Sequence, residues 1–92
     1  MTKEIYKESP KVDQQTNITE ERELILINDD VHTFDYVIDA LIEICDHSTE
    51  QATQCAMITH YKGQCEVKKG SFKQLRPLRR ALVSRELRAK IN

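Results

Sequence analysis

Asn28-Asp29-Asp30 sets an amide and two carboxylates side by side, directly after the apolar run Leu24-Ile25-Leu26-Ile27. Such a cluster of acceptors suits a cation or an ammonium group. It equally suits an Asx-rich turn whose side chains satisfy local backbone donors. Adjacent carboxylates also serve general acid/base work, but nothing nearby supplies a convincing nucleophile. His60 falls near the end of a helical stretch. There it either meets the last carbonyls and the negative helix end or, facing the Asn28-Asp29 turn, offers a neutral ring nitrogen as one more acceptor. Cys45, Cys55 and Cys65, with His47 and His60, raise zinc, but the paired C-x2–4-C spacing is missing. Buried structural cysteines without a metal are the expectation. Lys73, Arg76, Arg79, Arg80, Arg85 and Arg88 form a basic run, either a solvated face or a phosphate-binding one. With no tryptophan and 5% aromatic residues, it is poorly equipped to stack nucleic-acid bases.

The chain that must position these groups has 92 residues, 39% apolar and 32% charged, which describes one small soluble domain. No apolar stretch approaches the roughly 20 residues of a membrane span. The opening MTKEIYKESP has no apolar block for a signal peptide, and an odd number of cysteines argues against a disulfide framework; a cytoplasmic setting is expected. Two glycines leave little for a phosphate-cradling loop. The net charge of −1 hides a split. Residues 1–54 carry 13 acidic and 4 basic side chains, net −9, and residues 55–92 carry 2 and 10, net +8. That asymmetry is compatible with nucleic acid, membrane or a protein partner.

Residues 1–22 hold five apolar side chains (Met1, Ile5, Tyr6, Val12, Ile18) with no period, so a flexible N-terminal extension is expected there and a folded core over 23–92. Glu23–Ile27 reads as a central strand closed by the Asn-Asp-Asp turn. Thr33 caps a helix whose apolar residues, Phe34, Val37, Ile38, Leu41, Ile44 and Cys45, share one face. Asp46-His47 breaks it. Ser48-Thr49-Glu50-Gln51 is a capping box for a second helix that buries Ala52, Cys55, Ala56 and Ile58 or Thr59 and stops at Gly63. Cys65 and Val67 mark a half-exposed strand ending at Gly70. Ser71-Phe72-Lys73-Gln74 caps a third helix (Phe72, Leu75, Leu78, Leu82) that Pro77 should bend or delay. Leu87, Ala89 and Ile91 alternate with Arg88 and Lys90 in a closing strand. The fold class is α+β: one compact domain of order β-α-α-β-α-β, a three-stranded antiparallel sheet with three helices on one face.

Assembled in this order, the residues resemble the ClpS family, adaptors of the bacterial Clp proteases. Leu26-Ile27-Asn28-Asp29-Asp30 looks like the family's strand-and-turn motif. Phe34–Leu41 (F-D-Y-V-I-D-A-L) matches the following helix, and Glu50–Gly63 (E-Q-A-T-Q-C-A-M-I-T-H-Y-K-G) resembles the second. The likeness is good over 23–70 and looser over 71–92. It implies a binding protein and not an enzyme. The function implied is capture of substrates by a free, bulky N-terminal residue (Leu, Phe, Tyr or Trp) and delivery to a ClpA-like or ClpC-like AAA+ unfoldase coupled to ClpP. On matching positions, Asn28, Asp29 and His60 would hold the α-amino group, and Asp30 and His32 would lie along the substrate backbone. Leu26, Phe34, Val37, Ala56 and Thr59 would line the side-chain pocket, closed by Leu87 or Ile91. The resemblance implies no cofactor, no metal, no membrane and a monomer. Nucleic acid association through the basic C-terminal half, or docking to the unfoldase alone, are the alternatives. The chain departs from the family at Phe34 and Ala56 (commonly Met), Thr59 (commonly Val), His32 (usually Thr) and in the basic, Pro77-containing third helix.

Overall fold

A computed structural model describes residues 20–92, so the extension expected over residues 1–22 lies almost wholly outside the described residues. The elements run β1 (Arg22–Ile27), α1 (Phe34–Cys45), α2 (Thr49–Lys62), β2 (Gln64–Gly70), α3 (Phe72–Ser84) and β3 (Arg88–Ile91). This is the expected β-α-α-β-α-β order. β1 occupies the centre of the sheet, antiparallel to β2 on one side and β3 on the other. Leu24 and Leu26 share one strand face, and with Val67 and Ala89 they meet Leu41, Ala52, Leu75 and Leu82 from all three helices in one core. Burying each such leucine is worth about 1.5–3 kcal/mol. Ile25, on the other face, lies between Glu66 and Lys90 in the register and is still only 4% exposed.

The helix starts follow the capping chemistry. Thr33 Oγ1 accepts from the Tyr36 N–H, Ser48 Oγ from Gln51 and Ser71 Oγ from Gln74. Only the third is a full reciprocal box, with Gln74 Oε1 accepting from the Ser71 N–H. At Ser48 the hydroxyl half alone forms. α1 ends on Asp46 in the left-handed region, at φ 60°, and α2 ends on Gly63 at φ 93°, where glycine carries no Cβ penalty. Pro77 neither delays nor interrupts α3, which starts at Phe72 and runs past it to Ser84. Lys73 and Pro77 are both exposed, so the carbonyl that lacks a proline N–H partner meets water.

β2 departs from plain alternation. Leu24 pairs with Lys68 but Ile25 with Glu66, leaving Val67 as a bulge. The Val67 carbonyl instead takes a hydrogen bond from His47 Nε2 at 2.6 Å, which fixes the turn after α1 against the sheet. His47 is 5% exposed, and its Nδ1 has no partner.

Candidate functional site

The β1–α1 loop, the last turns of α2 and the segment before β3 enclose an open-mouthed cavity of about 340 Å³. That is at the small end of the roughly 300–1,000 Å³ typical of ligand pockets. Its floor is apolar: Leu26 from β1, Val37 from α1, Ala56 from α2 and Leu87 from the turn into β3. Phe34, at the first position of α1, is 42% exposed and stands at the rim instead of in the core. Ile91, the alternative to Leu87, packs against the core and is not part of the lining. Ile27 and Thr33 join the lining although their sequence roles, in strand and cap, gave no sign of it.

Thr59 shows how a polar residue is accommodated in the wall. It is 5% exposed, and its hydroxyl donates to the Cys55 carbonyl one helical turn back at 2.7 Å. The proton is committed inside α2, so Thr59 has no donor left for a ligand.

Polar groups gather at one end. The Asn28 backbone is clamped from both sides: its N–H donates to the Gly63 carbonyl at 2.9 Å, and its carbonyl accepts from the Arg88 guanidinium at 3.3 Å. Its side-chain amide has no hydrogen-bond partner among the described residues. Asp29 Oδ1 accepts from the N–H groups of Val31 (2.9 Å) and His32 (3.1 Å). The His32 ring nitrogen Nδ1 reaches both carboxylate oxygens, at 3.1 and 3.2 Å. Burial disfavours the charged carboxylate, but the bonds from Val31 and His32 outweigh it and hold Asp29 below the ordinary aspartate value. Asp29 is therefore anionic and organises its own turn, and Oδ2 is its less occupied oxygen. The two readings of the Asn-Asp-Asp turn coexist in one side chain. Asp30 is exposed and outside the cavity lining.

His60 does not hydrogen-bond the last carbonyls of α2. Its ring lies edge-on to Phe34, with centroids 5.2 Å apart, and borders the same cavity. Both ring nitrogens are without a partner among the described residues. Asn28, Asp29 and His60, 32 positions apart in sequence at the widest and drawn from the β1–α1 loop and α2, thus converge on one pocket that has an apolar floor and an acceptor-rich end.

The remaining charged and sulfur groups separate by role. Arg79 donates to the Ala89 carbonyl, Arg85 pairs with Glu43, and Arg88 holds Asn28. Lys73, Arg76 and Arg80 meet no carboxylate among the described residues and line a shallow second cleft with Phe72 and Pro77. Cys45, Cys55 and Cys65 are free thiols. Burial pushes Cys45 up to about 11 and Cys65 up to about 12, with the neighbouring Cys55 thiol adding to the latter. Among the described residues no three His, Cys, Asp or Glu side chains are grouped to hold a metal ion, and no helix is long and apolar enough to cross a membrane.

The family model of the ATP-dependent Clp protease adaptor protein ClpS matches residues 18–90. The chain belongs to the ClpS family. Members of this family are adaptors, not enzymes. Curated ClpS adapter proteins from Campylobacter jejuni, including strains 81-176 and RM1221, are 38% identical to it over 52 residues, 54% of this chain and 54% of theirs. The chain thus spans about half the length of the curated relatives it matches. The fold is shared with Agrobacterium tumefaciens ClpS2, solved bound to L-phenylalaninamide, at a TM-score of 0.72 and 18% identity, covering 78% of this chain and 94% of that one.

Proposed function

We propose that this ClpS-family chain captures proteins by a free N-terminal residue with a bulky apolar side chain and delivers them to a ClpA-like or ClpC-like unfoldase working with ClpP. The observation that carries this reading is the convergence of three unsaturated acceptors, Asn28, Asp29 and His60, at one end of an apolar pocket. A protonated α-amino group offers three N–H donors and no acceptor, the complement of that set. Charge-assisted bonds to Asp29 make the pocket selective for a free amine. Leu26, Val37, Ala56 and Leu87 then receive the first side chain, whose burial is worth about 1.5–3 kcal/mol, or one to two orders of magnitude in affinity. That ClpS2 was solved with L-phenylalaninamide, which pairs a free amine with an aromatic side chain, favours the same ligand chemistry. In this reading His32 lies along the substrate backbone and Asp30 beside it. The domain is residues 23–92, acting as a cytoplasmic monomer without a cofactor. The residues before β1 are then the part engaged by the unfoldase during delivery.

Lys73, Arg76 and Arg80, which meet no carboxylate among the described residues, favour α3 as the face that docks on the unfoldase. The nucleic-acid alternative is weakened because half of the basic run, Arg79, Arg85 and Arg88, is engaged by acceptors of the chain itself.

The deciding experiment is fluorescence anisotropy with labelled peptides beginning with Leu, Phe, Tyr, Trp, Ile and Val, and with acetylated Leu. Free Leu or Phe termini should bind and the acetylated terminus should bind at least tenfold more weakly (about 1.4 kcal/mol or more). Equal binding of free and acetylated peptides would sink the proposal. Silence of every peptide, with the unfoldase still captured, would replace it by a docking-only role.

A further inference from the structure

His32 has more contacts than an edge residue needs. Its side chain is 13% exposed and its ring is stacked on Tyr36, centroids 4.6 Å apart and planes 17° from parallel. Tyr36 is itself tied down, donating its hydroxyl to the Arg85 carbonyl at 2.9 Å. On the other side, the His32 ring nitrogen Nδ1 bridges both oxygens of Asp29, and its backbone N–H binds the same carboxylate. An ionised carboxylate only accepts, so Nδ1 carries the proton and Nε2 of the neutral ring holds the lone pair. The ring is thus fixed in place, tautomer and plane, by a carboxylate that also borders the pocket.

We propose that His32 is a positioning residue of the pocket: it orients the Asp29 carboxylate toward an incoming ammonium group and is the group through which acidification weakens capture of that ammonium. The proposal rests on the ammonium-capture reading above. With His32 neutral, the Asp29–His32 pair carries one negative charge. With the ring protonated, the pair is neutral and the attraction for a cationic ligand is lost. Asp29 itself stays ionised throughout the window where histidines titrate, because its hydrogen bonds hold it low. The ring itself meets Asp29 of the same loop and Tyr36 of α1; His60 of α2 shares the pocket, Arg88 of β3 lies on the Asn28 carbonyl, and Arg85 after α3 takes the Tyr36 hydroxyl on its carbonyl. His60 is the second imidazole at the pocket, so the two must be separated by experiment. The ligand does not confuse the sign. An α-amino group, with a pKa of about 7.7–8.0, is already cationic below pH 7.

The test follows binding of a Leu- or Phe-initiated peptide to the full chain from pH 7.0 to 5.5, for the wild type, His32→Gln, His32→Phe and His60→Asn. Wild-type affinity should fall by about threefold to tenfold over this range. His32→Gln, which still has a donor for Asp29 but cannot titrate, should bind more tightly than His32→Phe at pH 7.0 and show a smaller fall than the wild type. His32→Phe, which retains the stack on Tyr36 but offers no donor, should already be weaker at pH 7.0 by about threefold or more, with a shallower profile than the wild type. In ring ¹⁵N NMR, saturating peptide should move the His32 titration to lower pH, and the shift must appear at His32 and not at His60 alone. A full wild-type pH dependence in His32→Gln, or a His32 titration indifferent to peptide, overturns the proposal. If those results come while free and acetylated termini are still distinguished, the capture function stands and only the role of His32 falls.

Discussion

The pocket end of the molecule and the outer face of α3 both carry charge and treat it in opposite ways. Around the pocket, Asp29 is anchored by two backbone N–H groups and an imidazole, and Asn28 is clamped by Gly63 and Arg88. Few bonding sites remain open, and those few face one cavity. On α3, Lys73, Arg76 and Arg80 have no opposing carboxylate among the described residues and border only a shallow cleft beside Phe72 and Pro77. A prearranged site discriminates between ligands by fit. A row of long, unpaired cations attracts any acidic surface and selects weakly. The two regions therefore suit two kinds of partner: a small terminus that must be the right one, and a large surface approached by its field.

Exchanging the damage between the regions separates these roles, and this should give the largest effect. Asp29→Ala removes the charge and the turn's acceptor together and should weaken a free-amine peptide by about thirtyfold or more, near 2 kcal/mol. Asp29→Asn leaves an oxygen for the Val31 and His32 N–H groups and removes only the charge, so it should fall between Asp29→Ala and the wild type. The double reversal Arg76→Glu with Arg80→Glu should leave peptide anisotropy within about twofold, because exposed charges far from a site are largely screened. The same reversal should abolish capture of the unfoldase in a pull-down. Peptide affinity that tracks the α3 reversal would erase the distinction.

Within the basic run the comparison becomes finer. Arg79 donates to the Ala89 carbonyl of β3, whereas Arg76 has no backbone acceptor among the described residues. Arg79→Ala should cost about 0.5–1.5 kcal/mol in urea unfolding and Arg76→Ala less than about 0.5 kcal/mol. Equal costs would mean that the Arg79 bond contributes nothing net to the sheet edge.

How much of this was readable beforehand depends on whether the deciding interaction was local. Thr33, Ser48 and Ser71 act on the backbone three residues away, so their cap roles follow from spacing, as does the stop at Gly63. The central position of β1 followed from its apolar character on both faces. The Val67 bulge was not legible, because it is made by His47, twenty residues away, taking the freed carbonyl. Nor was the continuity of α3 through Pro77, which depends on that proline facing water. For the site, residue types and the family resemblance named Asn28, Asp29 and His60, but nothing in the chain distinguished the free basic residues from those bonded within the fold. The stack of His32 on Tyr36 was equally hidden. Two aromatic residues at i and i+4 across a helix start have no fixed geometry until the Asp29 turn sets it.

Thr59→Val sharpens the contrast inside the pocket. Since the hydroxyl proton is already donated to Cys55, the substitution removes no donor from the ligand's reach. Peptide affinities should stay within about threefold and the ranking of first residues should hold, with a stability change under about 1 kcal/mol. A reversal of the order of Tyr and Phe peptides would show instead that the Thr59 oxygen accepts from the ligand.

The smallest effect concerns the pH dependence of folding. Asp29 has a folded-state pKa below its unfolded one, held there against burial by the Val31 and His32 bonds. A depressed carboxylate contributes stability that is fully present above its unfolded pKa, about 3.9, and is lost as pH falls through the folded value. Urea midpoints of wild type and Asp29→Asn should therefore differ above about pH 5 and converge as the pH is taken below about 4. On α3, Arg76→Ala should show no such convergence, since a guanidinium does not titrate in that range. A difference between wild type and Asp29→Asn that persisted at pH 2.5 would mean that the turn depends on the shape of the side chain and not on its charge. The pocket end would then owe its order to the same packing as the rest of the fold.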